Sequence, residues 1–130
     1  MTLVVLPVKY PAALAGQSNG KLAPAILVDT PGLAGGPRVR LVTTAARCWR
    51  ALAGTANAGG IILQATSTAD SYRTYQQQVN LFTSRYQTDP TGNGYKWWDS
   101  DGSGTPERWY KMDGVATAAV PGTSNHGLGL

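Results

Sequence analysis

Apolar positions recur at helical spacing in two parts of the chain. Ala45, Trp49, Leu52 and Ala56 fall at i, i+4, i+7 and i+11, one face of a helix. Thr43 or Thr44 suits its N-cap, and Asn57 with Gly59-Gly60 supplies a stop, so the spacing predicts a helix over 43–58. Arg47 and Arg50 lie off that stripe. Cys48 lies beside it, where a small buried side chain is expected. The second stripe is stronger. Tyr72, Tyr75, Val79, Phe82 and Tyr86 are spaced 3, 4, 3 and 4, which predicts a helix over 71–87 with all five facing a core. Asp70 or Ser71 would cap it, and Asp70 also suits the positive end of the helix dipole.

Between the helices, Ile61-Ile62-Leu63-Gln64-Ala65-Thr66-Ser67 is a short, partly β-branched run behind Gly-Gly, which predicts a strand. Residues 94–113 place Tyr95, Trp97, Trp98, Trp109 and Tyr110 around Asp99-Ser100-Asp101-Gly102-Ser103-Gly104, a pattern for a loop or hairpin. The acidic stretch reads as a turn, because it lacks the spaced ligands and final Glu of an EF-hand loop. Residues 1–40 read as an arm with short extended pieces, a turn at Asn19-Gly20, and Leu22, Ile26, Leu27 and Val28 as anchors. Residues 41–130 form the rest of one domain. No internal repeat or low-complexity segment interrupts it.

Composition narrows the function. The 130 residues fit a single domain, and 42% hydrophobic against 14% charged residues exclude a disordered tail. A single Cys excludes an internal disulfide framework and a Cys-rich zinc module. The charge is +4, but the 11 Lys and Arg are scattered, so no nucleic-acid stripe forms. A mild basic excess suits an anionic polymer such as a bacterial wall. The apolar stretch Leu3–Val8 is too short to span a membrane and lacks the basic flank of an export signal.

Two motifs carry candidate chemistry. Ser71-Tyr72-Arg73 opens the second helix, with Gln76-Gln77-Gln78 a turn later. An Arg at a helix start can hold a carboxylate or a developing oxyanion, or can simply be solvated. Pro121-Gly122-Thr123-Ser124-Asn125-His126-Gly127-Leu128-Gly129-Leu130 holds the only His. One imidazole cannot make a zinc centre, which takes about three protein ligands when catalytic.

Together these motifs resemble the D-alanyl-D-alanine carboxypeptidase family of VanY type, zinc peptidases of bacterial wall peptides whose domain also occurs in bacteriophage endolysins. The resemblance runs through Asn19-Gly20-x-Leu22, Trp49, Ser71-Tyr72-Arg73, Gln78, Leu81-Phe82 and Ala119 to Gly129. It implies an α+β fold with helices preceding a small antiparallel sheet. It implies zinc as the cofactor, with His126 as its first ligand, and Arg73 on the substrate carboxylate or the transition-state oxygen. Ser71, Tyr72, Gln78 and Ser124 match substrate-side positions. The family's next ligand, an Asp, its third ligand, a His, and its general-base Glu would all fall beyond Leu130. The expectation is therefore a C-terminally truncated peptidase domain, inactive alone, whose partners are peptidoglycan stem peptides and a complementing C-terminal fragment. Neither nucleic acid nor membrane is expected as a partner. Without the later strands, Val115, Ala118 and Val120 would lie exposed. A product with no export signal would be made in the cytoplasm and act on the wall as phage lysins do. The alternative is a non-catalytic wall-binding or structural remnant that uses the Trp-rich loop.

Overall fold

A computed structural model describes residues 9–32, 35–68 and 71–130. The stretch Leu3–Val8 and the cap candidate Asp70 lie outside them. Two antiparallel sheets and two helices make an α+β fold. β1 (Leu27–Thr30) pairs with β2 (Val39–Val42), with Leu27 opposite Val42 and Thr30 opposite Val39. α1 (Thr43–Ala58) follows β2 directly and packs on this ribbon. α2 (Tyr75–Thr83) leads into β3 (Tyr86–Gln87), β4 (Tyr95–Trp98) and β5 (Glu107–Lys111), which form a sheet of order β3-β5-β4. The terminal motif ends in a short 3-10 turn at Asn125–Leu128. No helix among the described residues is long and apolar enough to cross a membrane.

α1 has the predicted bounds, but its buried face is shifted. Ala46 and Ala53 are buried, Ala45 and Trp49 flank them, and Leu52 is 60% exposed. The small side chain of Ala46 lets the helix lie close on Val39 and Leu41 of β2. Val42 rather than Thr43 or Thr44 is the N-cap, and the Thr43 hydroxyl donates to the Ile26 carbonyl at 3.4 Å instead. Cys48 is exposed, contrary to the buried position expected of it.

Residues 61–67 are irregular, not a strand. The end of α1 explains this. Gly60, at φ +81°, donates to Asn57 O at 3.1 Å, and Ile61 N–H reaches Ala56 O at 2.9 Å, a Schellman closure. Leu63 N–H then donates to the Asn57 side chain at 3.1 Å. Two backbone donors needed for a strand ladder thus cap the helix, and Ile61 and Ile62 are left 63% and 69% exposed.

α2 is shorter than the stripe that predicts it. Its N-cap is Thr74, not Asp70 or Ser71. The Thr74 hydroxyl accepts from Gln77 N–H at 3.2 Å while the Gln77 side chain accepts from Thr74 N–H at 2.8 Å, a capping box. Tyr72 precedes the helix, and Tyr86 sits in β3. At the other end the Thr83 and Ser84 hydroxyls donate to Val79 O and Leu81 O, turns that compete with further helix. Thr74→Ala is expected to cost about 1 kcal/mol, read as a lower urea midpoint at unchanged slope.

The main core gathers Phe82, Tyr86, Trp98 and Ala118, with Val79, Leu81, Trp109 and Val120 packed against it. Phe82 stacks on Tyr86 at 4.5 Å and meets Trp98 edge-on at 5.2 Å. Ala118 is buried and Val120 packs on this cluster, so neither is the exposed scar expected after truncation; Val115 is half-buried. The β4–β5 hairpin confirms the reading of 94–113. In its connection, Ser103 N–H donates to the Asp99 and Asp101 carboxylates at 3.0 Å, and that backbone donor is the main cause holding Asp101 below the usual carboxylate range.

Candidate functional site

Three segments distant in sequence are joined by hydrogen bonds around Gly127. The Asn19-Gly20 turn comes from the arm, Ser71–Thr74 runs into α2, and the terminal motif closes the set. Gly20 adopts φ +77°, donates to Gly127 O at 2.7 Å and accepts from Tyr75 N–H at 2.8 Å. Asn19 donates from Nδ2 to Ser124 O at 2.7 Å and accepts at Oδ1 from Gln78 Nε2 at 3.1 Å. Gln78 is buried; Nε2 also reaches Arg73 O at 3.3 Å, and Oε1 accepts from Gly122 N–H at 3.0 Å. A buried amide satisfied in this way fixes the segments it touches.

His126 is half-buried, and two bonds tie it to the segment before α2. Its Nδ1 lies 3.1 Å from Ser71 O, and its carbonyl accepts from Arg73 N–H at 2.9 Å. A carbonyl only accepts, so Nδ1 carries a proton, and in the neutral tautomer with that proton the lone pair is on Nε2. This second-sphere arrangement is the one that orients a metal-ligating imidazole.

The structure brings all six sequence-nominated residues into this region, in different roles. Arg73 lines a groove and passes its backbone to His126. Ser71 is buried, and its hydroxyl donates to Thr68 O at 2.6 Å. The Tyr72 hydroxyl accepts from Leu22 N–H at 3.2 Å and so ties the arm to the site. Gln78 occupies a positioning role among backbone groups. Ser124 contributes its carbonyl, which accepts from Asn19 and, at 2.9 Å, from Gly127 N–H.

Sequence reasoning passed over Asn19 as a hub, since Asn-Gly reads first as a turn. It also passed over the wall of the groove. A cleft of about 930 Å3 beside α2 is lined by Arg38, Arg40, Arg73 and Arg85, with Asp29 and Thr68. These arginines come from β2, its approach, the start of α2 and its exit, and no local spacing connects them.

A catalytic zinc centre takes about three protein ligands. Among the described residues no group of three or more His, Cys, Asp or Glu stands close enough to hold an ion. His126 has the tautomer of a ligand, yet these residues alone do not fit a zinc centre, and no step through a metal is assigned to them. Comparison with family models, curated proteins and solved structures gives no match.

Proposed function

We propose that the chain supplies the substrate-holding part and first zinc ligand of a peptidase that cuts peptidoglycan peptides, as a D-alanyl-D-alanine carboxypeptidase or an endopeptidase of endolysin kind. One observation carries this reading: Ser71 and Arg73 are both bonded to His126, which lies 55 positions after Ser71. The two motifs of the resemblance are thus joined, the Arg73 backbone N–H to the His126 carbonyl and the His126 ring to the Ser71 carbonyl. In this reading Arg73 binds the terminal carboxylate of a stem peptide or steadies an oxyanion. The remaining ligands and the general base come from residues outside these 130, in cis or on a complementing fragment. The protein is made in the cytoplasm and works on the cell wall.

A second reading has its own observation. Tyr95, Trp97, Tyr110 and Arg108 share the outer face of the β4–β5 hairpin, with Arg108 4.8 Å and 5.1 Å from the Tyr95 and Trp97 ring centres. Such a face supports a non-catalytic wall-binding role.

The test uses the 130-residue chain and a pentapeptide ending in D-Ala-D-Ala. The chain with added zinc is expected to release no D-Ala, because it lacks ligands and base. It is expected to bind the peptide, and Arg73→Ala to weaken binding by roughly 10- to 100-fold, the range of a charged hydrogen bond. Release of D-Ala above buffer would refute the incomplete site. Binding indifferent to Arg73→Ala would refute the role of Arg73 and favour the second reading.

A further inference from the structure

The chain holds two Asn-Gly pairs, Asn19-Gly20 and Asn93-Gly94, and the fold treats them oppositely. In such a pair the glycine nitrogen can attack the side-chain amide carbon of the asparagine, because no Cβ stands in the way. The attack needs that nitrogen free of its hydrogen bond and the side chain free to turn. At Asn19 neither condition holds. Gly20 is buried, and its N–H donates to Gly127 O at 2.7 Å. Both ends of the Asn19 amide are tied, Nδ2 to Ser124 O at 2.7 Å and Oδ1 to Gln78 Nε2 at 3.1 Å. At Asn93 the nitrogen is free. Asn93 and Gly94 are both exposed in the connection between β3 and β4, and the space where a Gly94 Cβ would stand is open. Among the described residues the Gly94 N–H has no acceptor, while its carbonyl takes the Lys111 N–H at 3.0 Å. The Asn93 amide donates from Nδ2 to the Asp113 carboxylate and to Lys111 O at 3.3 Å. Both bonds face solvent, so water replaces them at little cost.

We propose that Asn93 is a deamidation site of the folded protein, and that the hydrogen bonds of the hub keep Asn19 intact. The Gly94 nitrogen loses its proton to hydroxide and bonds to Asn93 Cγ. The Cγ–Nδ2 bond breaks, and the nitrogen leaves as ammonia with a proton taken from water. The two bonded residues need only rotate about single bonds to close this succinimide ring. Water then opens the ring at either carbonyl, leaving aspartate or isoaspartate. The product has a carboxylate where an amide donor faced Asp113, so repulsion replaces the bond that closed the turn. Lys111 O loses one of its donors as well. The change falls just before Tyr95, where β4 begins, and loosens the start of the hairpin. The site stands whether or not the chain belongs to a peptidase, since neither the groove nor His126 takes part.

The test incubates the 130-residue chain in mildly alkaline buffer, with and without guanidinium chloride, and then digests it with trypsin. Peptides 10–21 and 86–96 each carry one Asn-Gly pair, and mass spectrometry with fragmentation reads the amide-to-acid gain at each asparagine. In the folded chain Asn93 is expected to convert at least about tenfold faster than Asn19, which reacts only from an opened hub. In denaturant the two rates are expected to come together, because both sites are then plain Asn-Gly pairs. The deamidated product carries an extra negative charge and is separated by ion exchange. In it the Lys111 N–H, which donates to Gly94 O, is expected to exchange with solvent about threefold faster or more, read by NMR. Equal rates at Asn19 and Asn93 in the folded chain would overturn the protection by the hub. An Asn93 that converts only in denaturant, or in neither condition, would overturn the site. A gap between the two that persists in denaturant would overturn the structural cause. Unchanged exchange at Lys111 would overturn the loosening of the hairpin.

Discussion

Phe82→Ala is expected to lower unfolding free energy by about 3–5 kcal/mol, a large share of the roughly 5–15 kcal/mol that holds a domain of this size. Phe82 is 0% exposed, and among the described residues no other has as many aromatic neighbours. Removing the ring takes away the stack on Tyr86, the edge contact with Trp98 and the tilted contact with Trp109 at 5.9 Å. The neighbours are themselves large rings fixed by a sheet, so collapse into the space is limited and the full cavity cost applies. Urea unfolding followed by Trp fluorescence reads this directly, since Trp98 and Trp109 border the cavity. A loss under about 1.5 kcal/mol would mean that the face is open. Phe82 shares the buried face of α2 with Gln78, one turn earlier. The variant therefore also loosens the helix that carries the hub of the site.

That helix illustrates what was legible in the sequence. The 3-4-3-4 stripe identified Phe82, Val79 and Tyr86 as core, and they are in or against it. It did not show where the helix ends, because Tyr86 meets the same core from β3 as it would from another helical turn. The ends were written in the side chains that compete for backbone groups, Thr74 with Gln77 at the start and Thr83 with Ser84 at the finish. Residues 61–67 failed for a related reason. Their β-branched run has strand character, but strands need a partner, and Asn57 and Ala56 claim the donors first. In α1 the periodicity was correct and its phase was not. Hydrophobicity favoured Leu52, whereas packing on β2 favoured Ala46, and Ala53 is buried on the same side.

The site was legible as two motifs and illegible as a groove. Arg73 and His126 each stand in a short recognisable stretch. Arg38, Arg40 and Arg85 each look like a solvated surface charge, and only the fold sets them around one cleft. Gln78 was named for its place in a helix, but its three hydrogen bonds reach partners at Asn19, Arg73 and Gly122. Only the Arg73 bond is local; the other two join parts of the chain that no spacing rule connects.

The hub leads to the second large expectation. A methyl group at Gly127 would lie 1.8 Å from Asn19 Oδ1 and 2.4 Å from Gln78 Nε2. Neither distance is tolerable. The two atoms are bonded to each other, and the other ends of the same two side chains hold the terminal motif. Gly127→Ala is therefore expected to cost about 2–4 kcal/mol, combining overpacking with lost buried hydrogen bonds. It should also move His126, whose carbonyl and ring are held from the neighbouring Ser71–Arg73 segment. Asn19→Ala removes the nearer obstacle but also the bond to Ser124. Alone it should destabilise by about 1–3 kcal/mol. Gly127→Ala added to Asn19→Ala should then cost clearly less than it does in the wild type, because only the flexible end of Gln78 must give way. Such coupling of about 1 kcal/mol or more is the signature of two residues sharing one space. Urea midpoints of the two single variants and the double variant measure it. Strict additivity would show that the strain of Gly127→Ala is relieved elsewhere, and that Asn19 does not bear on the terminal motif as the 2.7 Å bond to Ser124 requires.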